Sequence, residues 1–269
     1  MSVELGAPFV LVTGGKGGVG KTTVAANLGV DLAREGRRVL LVDLDLGLAN
    51  LDLTLGLRPA HRVEEALAGE VPLEDCVVTG PGGVHLLPAA SGSEELSSLG
   101  PERRSRLIEL LRGLARRYDV VVGDSAAGVG ADVLAFAALA DRVVLVTTPD
   151  LAALTDAYGL IKALDMHGVR HGVDIPTPEV LVNHASGVEE GRAVARKLRS
   201  ICERFLARSP RQAGWLPRSP SVERSQSEGA PFVLRTRRAL ENVCMAQISG
   251  RLRGLAGVPE TPVAAGKNF

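Results

Sequence analysis

The residues PFVLVTGGKGGVGKTT, from Pro8 to Thr23, predict a buried strand that leads through a glycine-rich loop into a helix. Pro8–Thr13 is a short apolar run of strand length, and a helical pattern extends over Lys21–Glu35 until Gly36 ends it. The glycines between these elements let the backbone curl so that successive N–H groups point inward, and the helix N-terminus adds its dipole. The segment therefore predicts a site for phosphate groups.

The loop carries the complete phosphate-binding (P-loop) motif G-x-x-x-x-G-K-T, which begins at Gly15 and ends at Thr22. Lys21 is expected to reach the β- and γ-phosphates of a nucleotide, and the Thr22 hydroxyl is expected to ligate Mg²⁺. The alternative, a glycine-rich turn that binds nothing, is disfavoured because the motif directly follows a strand and opens a helix. The predicted nucleotide contacts in the loop are Gly15, Lys16, Gly17, Gly18, Val19, Gly20, Lys21, Thr22 and Thr23.

The rest of the chain alternates short Val- and Leu-rich runs with helical patterns. Further strands are predicted over Arg38–Asp43, Gly83–Pro88, Asp119–Asp124, Arg142–Thr147, Glu179–Asn183 and Gln212–Leu216. Helices are predicted over Glu102–Arg117, Asp132–Leu139, Leu151–Leu164 and Val188–Ala207. This alternation indicates an α/β fold: a single-domain P-loop NTPase with a mostly parallel sheet and helices on both faces. We expect the domain over residues 1–256 and a disordered tail over 257–269, where Pro259 and Pro262 oppose a helix.

Composition and charge set further bounds. Lys and Arg together number 31, and so do Asp and Glu, so no global charge favours nucleic acid as a partner. Three scattered cysteines without C-x-x-C spacing are typical of incidental thiols in a reducing compartment. Met1–Phe9 has no signal-peptide pattern, and no apolar run reaches the length of a membrane span. We therefore expect a cytoplasmic protein.

Two acidic clusters follow predicted strands. Asp43 and Asp45 end the second strand within VDLDLG, and Asp124 ends the strand DVVVGD. Catalytic groups of an open α/β sheet lie at the carboxyl ends of its strands. Phosphoryl transfer needs Mg²⁺ near the phosphates and a water placed for in-line attack, and a carboxylate can serve either need. For each acid alone, a helix cap or turn residue is the better interpretation, but their joint placement behind a P-loop favours catalysis.

The pattern K-G-G-x-G-K-T-T, from Lys16 to Thr23, closely resembles the deviant Walker A motif of the MinD/ParA family of ATPases. The resemblance implies ATP and Mg²⁺ as cofactors and a nucleotide-sandwich homodimer in the ATP-bound state. In that family the early lysine crosses the dimer to the other subunit's phosphates. Lys16 is therefore expected to act in trans, as an arginine finger does, whereas the simpler interpretation is a solvated loop charge.

The same resemblance implies roles for the carboxylates. Asp45 is expected to orient or activate the attacking water, which completes a predicted catalytic set with Lys16 and Lys21. Asp124 is expected to hold Mg²⁺ through water. For Asp43 two roles stay open, because it either assists the metal shell or simply ends its strand.

The resemblance extends to the nucleobase. Asn183, at the end of EVLVN, matches the family's adenine-contacting asparagine, and the segment WLP, which ends at Pro217, resembles the loop that closes on the base. The family commonly has an aspartate soon after that proline, where this chain has Arg218 and Ser219. ATP is favoured over GTP because the guanine motif N-K-x-D does not occur in the sequence.

Within the family, the chain most resembles the flagellar-number regulators of the FlhG (FleN) type. Segments such as DLDLGLANLDLTLGLRPAHRVEEAL and DSAAGVGADVLAFAALADRVV carry this resemblance. It implies a slow, partner-stimulated ATPase that acts as a switch through flagellar assembly or regulatory proteins. Those regulators often carry an N-terminal D-Q-A-x-x-L-R motif that activates a GTPase partner. That motif is absent from Met1–Ala7, so partner activation by this route is not expected.

Three alternatives remain. A ParA-like DNA or cargo positioner would use one of the arginine clusters, near Arg103–Arg117 or Arg192–Arg211, as a non-specific DNA surface, although each cluster is more simply a solvated helix face. A metal-cluster carrier of the Mrp type is opposed by the lack of paired C-x-x-C ligands. The helical pattern after Leu240 could attach the protein peripherally to the inner face of the membrane, but packing of that helix on the core is favoured.

Overall fold

Eight strands form one sheet in the computed structural model, which describes residues 5–91 and 99–252. The strands are β1 (Phe9–Gly14), β2 (Val39–Leu44), β3 (Val78–Thr79), β4 (His85–Leu87), β5 (Val120–Ala127), β6 (Arg142–Thr147), β7 (Glu179–Ala185) and β8 (Gln212–Pro217). Their order is β3-β4-β2-β5-β1-β6-β7-β8, and all neighbours are parallel except β3 and β4. The predicted fold class is therefore confirmed. The short antiparallel edge strand β3 was not predicted, because two residues carry no periodic signal.

Helices cover both faces of the sheet, as predicted. They are α1 (Lys21–Arg34), α2 (Leu51–Thr54), α3 (Val63–Ala68), α4 (Pro101–Ala115), α5 (Ala131–Ala137), α6 (Leu151–His171), α7 (Val188–Leu206), α8 (Pro220–Ser227) and α9 (Leu240–Leu252). One apolar core lies under α1 and α9 and includes Leu28 and Met245. A second lies under α4 to α7 and includes Phe136 and Leu160. Because the strands are buried on both faces, they consist of nearly continuous Val and Leu.

Two predicted elements end at least three residues later than expected. Helix α6 continues past Leu164 to His171, where Gly172 adopts a left-handed conformation with φ of 64° and ends it. Strand β5 continues past Asp124 to Ala127, because its last residues pair with Gly14 at the end of β1. Sequence periodicity marks the apolar part of an element but not the polar turn that follows it.

The last helix belongs to the core. In α9, Met245, Ile248 and Leu252 are buried against the face that α1 covers, which confirms the packed interpretation over a free amphipathic helix. None of the helices in the described ranges is long and apolar enough to cross a bilayer. The predicted tail, 257–269, lies outside the described residues.

The topology brings the loops that follow the parallel strands together at one edge of the sheet. Strand β1 is central, with β5 on one side and β6 on the other, so the chain leaves β1 at a point where the strand order reverses. Asp43 at the end of β2 lies beside Asp124 of β5 in the parallel register. Ligands of open α/β sheets bind at such a point, outside the carboxyl ends of the strands. The predicted site residues all lie at this edge.

Candidate nucleotide site

The P-loop joins β1 to α1 and is held tightly from behind. Gly20 precedes α1 with φ of 93°, and its carbonyl accepts the Val24 N–H at 3.0 Å as the first helical bond. A side chain at Gly20 would be strained at that φ. At Gly15, a Cβ atom would lie 2.2 Å from the backbone oxygen of Asp156 in α6. The loop thus takes a shape that only glycine permits at these two positions.

The loop forms one wall of a cleft of about 700 Å³. Lys21 is only 8% exposed, although its ammonium group carries a charge. A buried ammonium group of this kind requires anionic partners. The residues that line the cleft are Gly17, Gly18, Gly20, Lys21, Thr22, Thr23, Asp45, Leu48, Asn50, Leu53, Thr54, Ala126, Ala127 and Gln226. The structure therefore brings the predicted phosphate loop and Asp45 to one site.

Asp124 lies at the base of this site and is 1% exposed. Burial, followed by the charge of Asp43, raises the pKa of Asp124, while a hydrogen bond with Thr22 and the charge of Lys21 lower it. One carboxylate oxygen, Oδ1, has no hydrogen-bond partner among the described residues. A buried carboxylate oxygen without a partner, next to a threonine hydroxyl, offers the hard oxygen donors that Mg²⁺ prefers. Thr22 and Asp124 therefore fit a Mg²⁺ ion.

Asp43 organises the loop after β2. Its Oδ1 accepts the Asp45 N–H at 3.1 Å, and its Oδ2 accepts the N–H groups of Asn50 and Leu51, each at 3.0 Å. Burial raises the pKa of Asp43 to about 7, although these three bonds act to lower it. The side chain thus holds the start of α2. Its assignment to the metal shell stays a prediction.

Asp45 is the half-buried acid of the cleft. Its backbone is fixed by Asp43, and its own Oδ1 accepts the Leu48 N–H at 3.2 Å. It lines the cleft with Lys21 and Thr22 but is not buried as Asp124 is. A carboxylate in this position can accept a proton from a water in the cleft, so the geometry is compatible with its predicted role.

Lys16 differs from Lys21 in its exposure, in its position relative to the cleft and in its contacts. Its side chain is 44% exposed, and the cleft-lining residues of the described chain do not include it. Its Nζ lies 3.5 Å from Oδ1 of Asp150, which caps the start of α6. The pKa of Asp150 is lowered first by the Thr148 hydroxyl, next by the Ala153 N–H, and further by Lys16. Sequence reasoning missed Asp150, although its place after β6 obeys the same strand-end rule.

The residues predicted to contact adenine are packed more closely against the rest of the chain than expected. Asn183 is buried, and its Nδ2 donates to the Val19 carbonyl at 2.9 Å, so the side chain supports the P-loop from beneath. Pro217 ends β8, and Trp215, two residues before it, packs against Gly191 of α7. Contacts of Asn183 and Pro217 with adenine stay predictions. At the departure from the family pattern, Ser219 caps α8 through a bond from the Ser221 N–H.

Gln226 of α8 is a cleft residue that the sequence did not reveal. Its Nε2 donates to the Thr23 hydroxyl, and its side chain lines the cleft. The two residues are 203 positions apart, and Gln226 belongs to no motif. Turns that contain Gly56 and Gly229 place α8 near α2, because a Cβ on Gly56 would lie 2.6 Å from the Gly229 oxygen.

Comparison with known proteins agrees with this geometry. Residues 10–232 match the model of the CobQ/CobB/MinD/ParA nucleotide binding domain. The chain belongs to this family. The expected MinD/ParA membership is therefore confirmed, and the P-loop that predicted it lies inside the matched range.

Two curated relatives carry informative names. The chain is 42% identical over 217 residues to the antiactivator FleN of Pseudomonas aeruginosa, a match that covers 80% of this chain and 75% of FleN. It is 35% identical over 200 residues to the flagellum site-determining protein YlxH of Helicobacter pylori, which covers 74% of this chain and 65% of YlxH. The chain thus spans slightly less than two thirds of the second relative.

A solved structure supports the nucleotide site. The septum site-determining protein MinD of Pyrococcus horikoshii, complexed with Mg-ADP, superposes with a TM-score of 0.75 at 27% identity. The match covers 93% of this chain and 98% of that protein. A nucleotide with Mg²⁺ is therefore a plausible ligand of the present chain.

Proposed function

We propose that this protein is an ATPase that works as a dimerising switch in the control of flagellar number or placement. The observation that carries the proposal is the contrast between two lysines of one loop: Lys21 is buried in the cleft, whereas Lys16 lies outside it. A P-loop needs only one lysine for its own nucleotide. The exposed position of the second supports a role toward a different molecule.

Each group of the cleft has a distinct task in hydrolysis. The loop N–H groups and Lys21 bind the phosphates, and Thr22 with Asp124 would hold Mg²⁺. The metal ion neutralises the charge of the phosphate oxygens when it is bound. Asp45 orients the attacking water and accepts its proton, while Gln226 keeps the Thr23 hydroxyl in place at the other side of the loop.

Lys16 acts on the nucleotide of a second subunit. In the free chain it pairs with Asp150, and both side chains are about half exposed, so the pair is weak and water-screened. Two bound triphosphates that face each other repel strongly, and a lysine from each subunit offsets that repulsion. Dimerisation then tightens ATP binding by the same factor by which ATP favours the dimer.

The rim of the cleft suits contact with a second copy. Leu48 and Leu53, which line the cleft, are large apolar side chains that are more than half exposed. The same is true of Val129 and Leu151, which follow β5 and β6 at the same edge of the sheet. Exposed apolar groups grouped around a polar cleft mark an interaction surface. The rim therefore supports a homodimer in which the nucleotides lie between the subunits.

The output of the switch is a contact with other proteins. The names of FleN and YlxH, an antiactivator and a flagellum site-determining protein, support a role for this contact in flagellar regulation or assembly. We propose a slow cytoplasmic ATPase that such partners stimulate. Its ATPase domain comprises residues 1–256, and Asn183 and Pro217 select adenine. A DNA- or cargo-positioning role is not favoured by these relatives.

The test is the oligomeric state of the full chain. Light scattering after size exclusion, at micromolar protein with saturating ATP and Mg²⁺, should show a dimer for Asp45→Ala, whereas ADP should give a monomer. A monomer in ATP for both the wild type and Asp45→Ala would refute the dimerising switch, and the protein would then be a nucleotide-binding module for a different chain.

A further inference from the structure

The hydroxyl group of Thr23 is used differently from those of two other helical threonines. The hydroxyls of Thr54 and Thr155 donate to the carbonyl four residues earlier in the chain, at 3.0 and 2.9 Å. This bond is a common partner for a threonine hydroxyl within a helix. Thr23, the third residue of α1, is only 5% exposed, yet it forms no such bond with a described carbonyl. Its hydroxyl proton therefore requires another acceptor.

The carbonyl groups that could accept the Thr23 proton are already engaged. In a helix these are the carbonyls three and four residues earlier, which here belong to Gly20 and Val19. The Gly20 carbonyl accepts the Val24 N–H at 3.0 Å, and the Val19 carbonyl accepts Nδ2 of Asn183 at 2.9 Å. No described residue accepts the hydroxyl proton. Because Thr23 lines the cleft, this proton is available to a ligand.

Gln226 occupies the acceptor side of the same hydroxyl. Its Nε2 donates to Thr23 Oγ1. A hydroxyl has one proton and two lone pairs, so it can accept from one group and donate to another at the same time. With the amide N–H on a lone pair, the Thr23 hydroxyl turns its own proton away from Gln226. Hydrogen bonds in such a chain polarise one another, which makes the hydroxyl a stronger donor.

The Gln226 side chain is not part of the packing of α8. It is exposed, whereas its neighbour Ser225 is buried. The end of α8 is held by the bond from the Ala230 N–H to the Ser225 carbonyl at 3.0 Å, and by the close approach of Gly229 to Gly56. Removal of the Gln226 amide should therefore leave the helix and its position unchanged.

We propose that Gln226 is a positioning residue for the phosphates of a bound nucleotide. It holds the Thr23 hydroxyl with its proton directed into the cleft, where that proton is donated to a phosphate oxygen of a nucleoside diphosphate or triphosphate. Such a bond to an anionic oxygen is charge-assisted and therefore strong. The proposal rests on the proposed function, in which this loop binds ATP, and it adds α8 to the elements that determine nucleotide affinity.

The experiment measures the affinity of the full chain for Mg-ADP by isothermal titration calorimetry. ADP is used because the ADP-bound chain is proposed to be monomeric, so that dimerisation does not contribute. Gln226→Met keeps the length of the side chain but removes the amide donor, and the affinity should fall by about fivefold. Thr23→Val keeps the shape but removes the hydroxyl, and the affinity should fall by at least about tenfold. Gln247→Met, at an exposed glutamine of α9, is the matched control and should bind as the wild type does.

A double-mutant cycle distinguishes positioning from a merely structural role. If Gln226 acts through the hydroxyl, Gln226→Met should change the affinity by less than about twofold in the Thr23→Val background. In Thr23→Ser, which keeps a hydroxyl, it should still cost about fivefold.

Two outcomes would overturn the role of Gln226 alone. One is wild-type affinity for Mg-ADP in the Gln226→Met variant. The other is an equal loss in the wild-type, Thr23→Val and Thr23→Ser backgrounds, because Gln226 would then act independently of the hydroxyl. Failure of the wild-type chain to bind any nucleotide would instead refute the proposed function, and the role of Gln226 with it.

Discussion

The two walls of the nucleotide cleft are built in opposite ways. The P-loop wall is braced from behind, by Asn183 beneath Val19 and by α6 behind Gly15. The wall formed by the β2–α2 loop is open, with Asp45 half-buried and Leu48 73% exposed. The conformation of the first wall is already formed before a nucleotide binds, whereas the second wall exposes large side chains to solvent.

We expect this difference to assign ATP binding to one wall and ATP hydrolysis to the other. A preformed site binds its ligand without further ordering, so we expect the braced wall to suffice for ATP affinity. The open wall carries the proposed water-orienting acid, whose surroundings a second subunit would complete in the proposed dimer. Substitutions in the two walls should therefore fail differently, and four variants test this in order of expected effect.

The largest effect is expected for Lys21→Ala in the braced wall. ATP affinity should fall by at least about 100-fold, because the phosphates lose a buried cation that makes charge-assisted bonds. Isothermal calorimetry measures the affinity, and circular dichroism confirms the fold. Lys162→Ala is the matched control. A folded Lys21→Ala protein with wild-type affinity would show that the braced wall is not the phosphate site.

In the open wall, Asp45→Ala should lower the hydrolysis rate by roughly 10²–10⁴-fold, because the attacking water loses its acceptor. ATP affinity should stay within about twofold, since the braced wall is unchanged. Phosphate release and calorimetry separate the two quantities. Asp75→Ala, an exposed acid remote from the cleft, should hydrolyse normally. Equal losses of affinity and rate in Asp45→Ala would remove the distinction between the walls.

Lys16→Ala should weaken the ATP-bound dimer by at least about tenfold, because each subunit loses the cation that offsets the facing phosphates. Binding of ATP to the monomer should persist through Lys21. Sedimentation velocity with ATP at several protein concentrations measures the dimer constant, and Lys197→Ala serves as the control. If dimers form normally without Lys16, the exposed lysine is only a solvated loop charge.

The smallest effect is expected for Leu48→Ser at the rim. Removal of one exposed apolar contact should weaken the dimer by only a few-fold, because rim residues contribute little individually. Val243→Ser, an exposed valine on α9, should leave the dimer unchanged. The same sedimentation series measures both. A loss as large as that of Lys16→Ala would make Leu48 a central contact and place the open wall in the middle of the interface.

The sequence predicted the parts of this molecule that local rules determine. The P-loop, the strands and the strand-end acids follow from short-range pattern, and the structure places Lys21, Thr22, Asp45 and Asp124 together as strand-end geometry requires. Gln226 could not be predicted, because it reaches Thr23 across 203 residues without a motif.

The hydrogen-bond partners of the strand-end side chains could not be predicted from the sequence either. Asn183 ends a strand at the predicted place, yet its amide is committed to the Val19 carbonyl. Asp43 similarly holds three backbone N–H groups of the next loop. A strand end fixes where a residue lies, but the hydrogen bonds that local backbone offers decide what its side chain contacts.

Trp215 is the single tryptophan of the chain, and it lies two residues before Pro217 at the end of β8. All tryptophan emission from this protein therefore originates at one place, on the strand that ends at the proposed base site. The half-buried indole packs against Gly191, a contact that a shift of the β8 end would alter. The molecule thus carries its own optical reporter, whose emission should change if nucleotide exchange moves the end of β8.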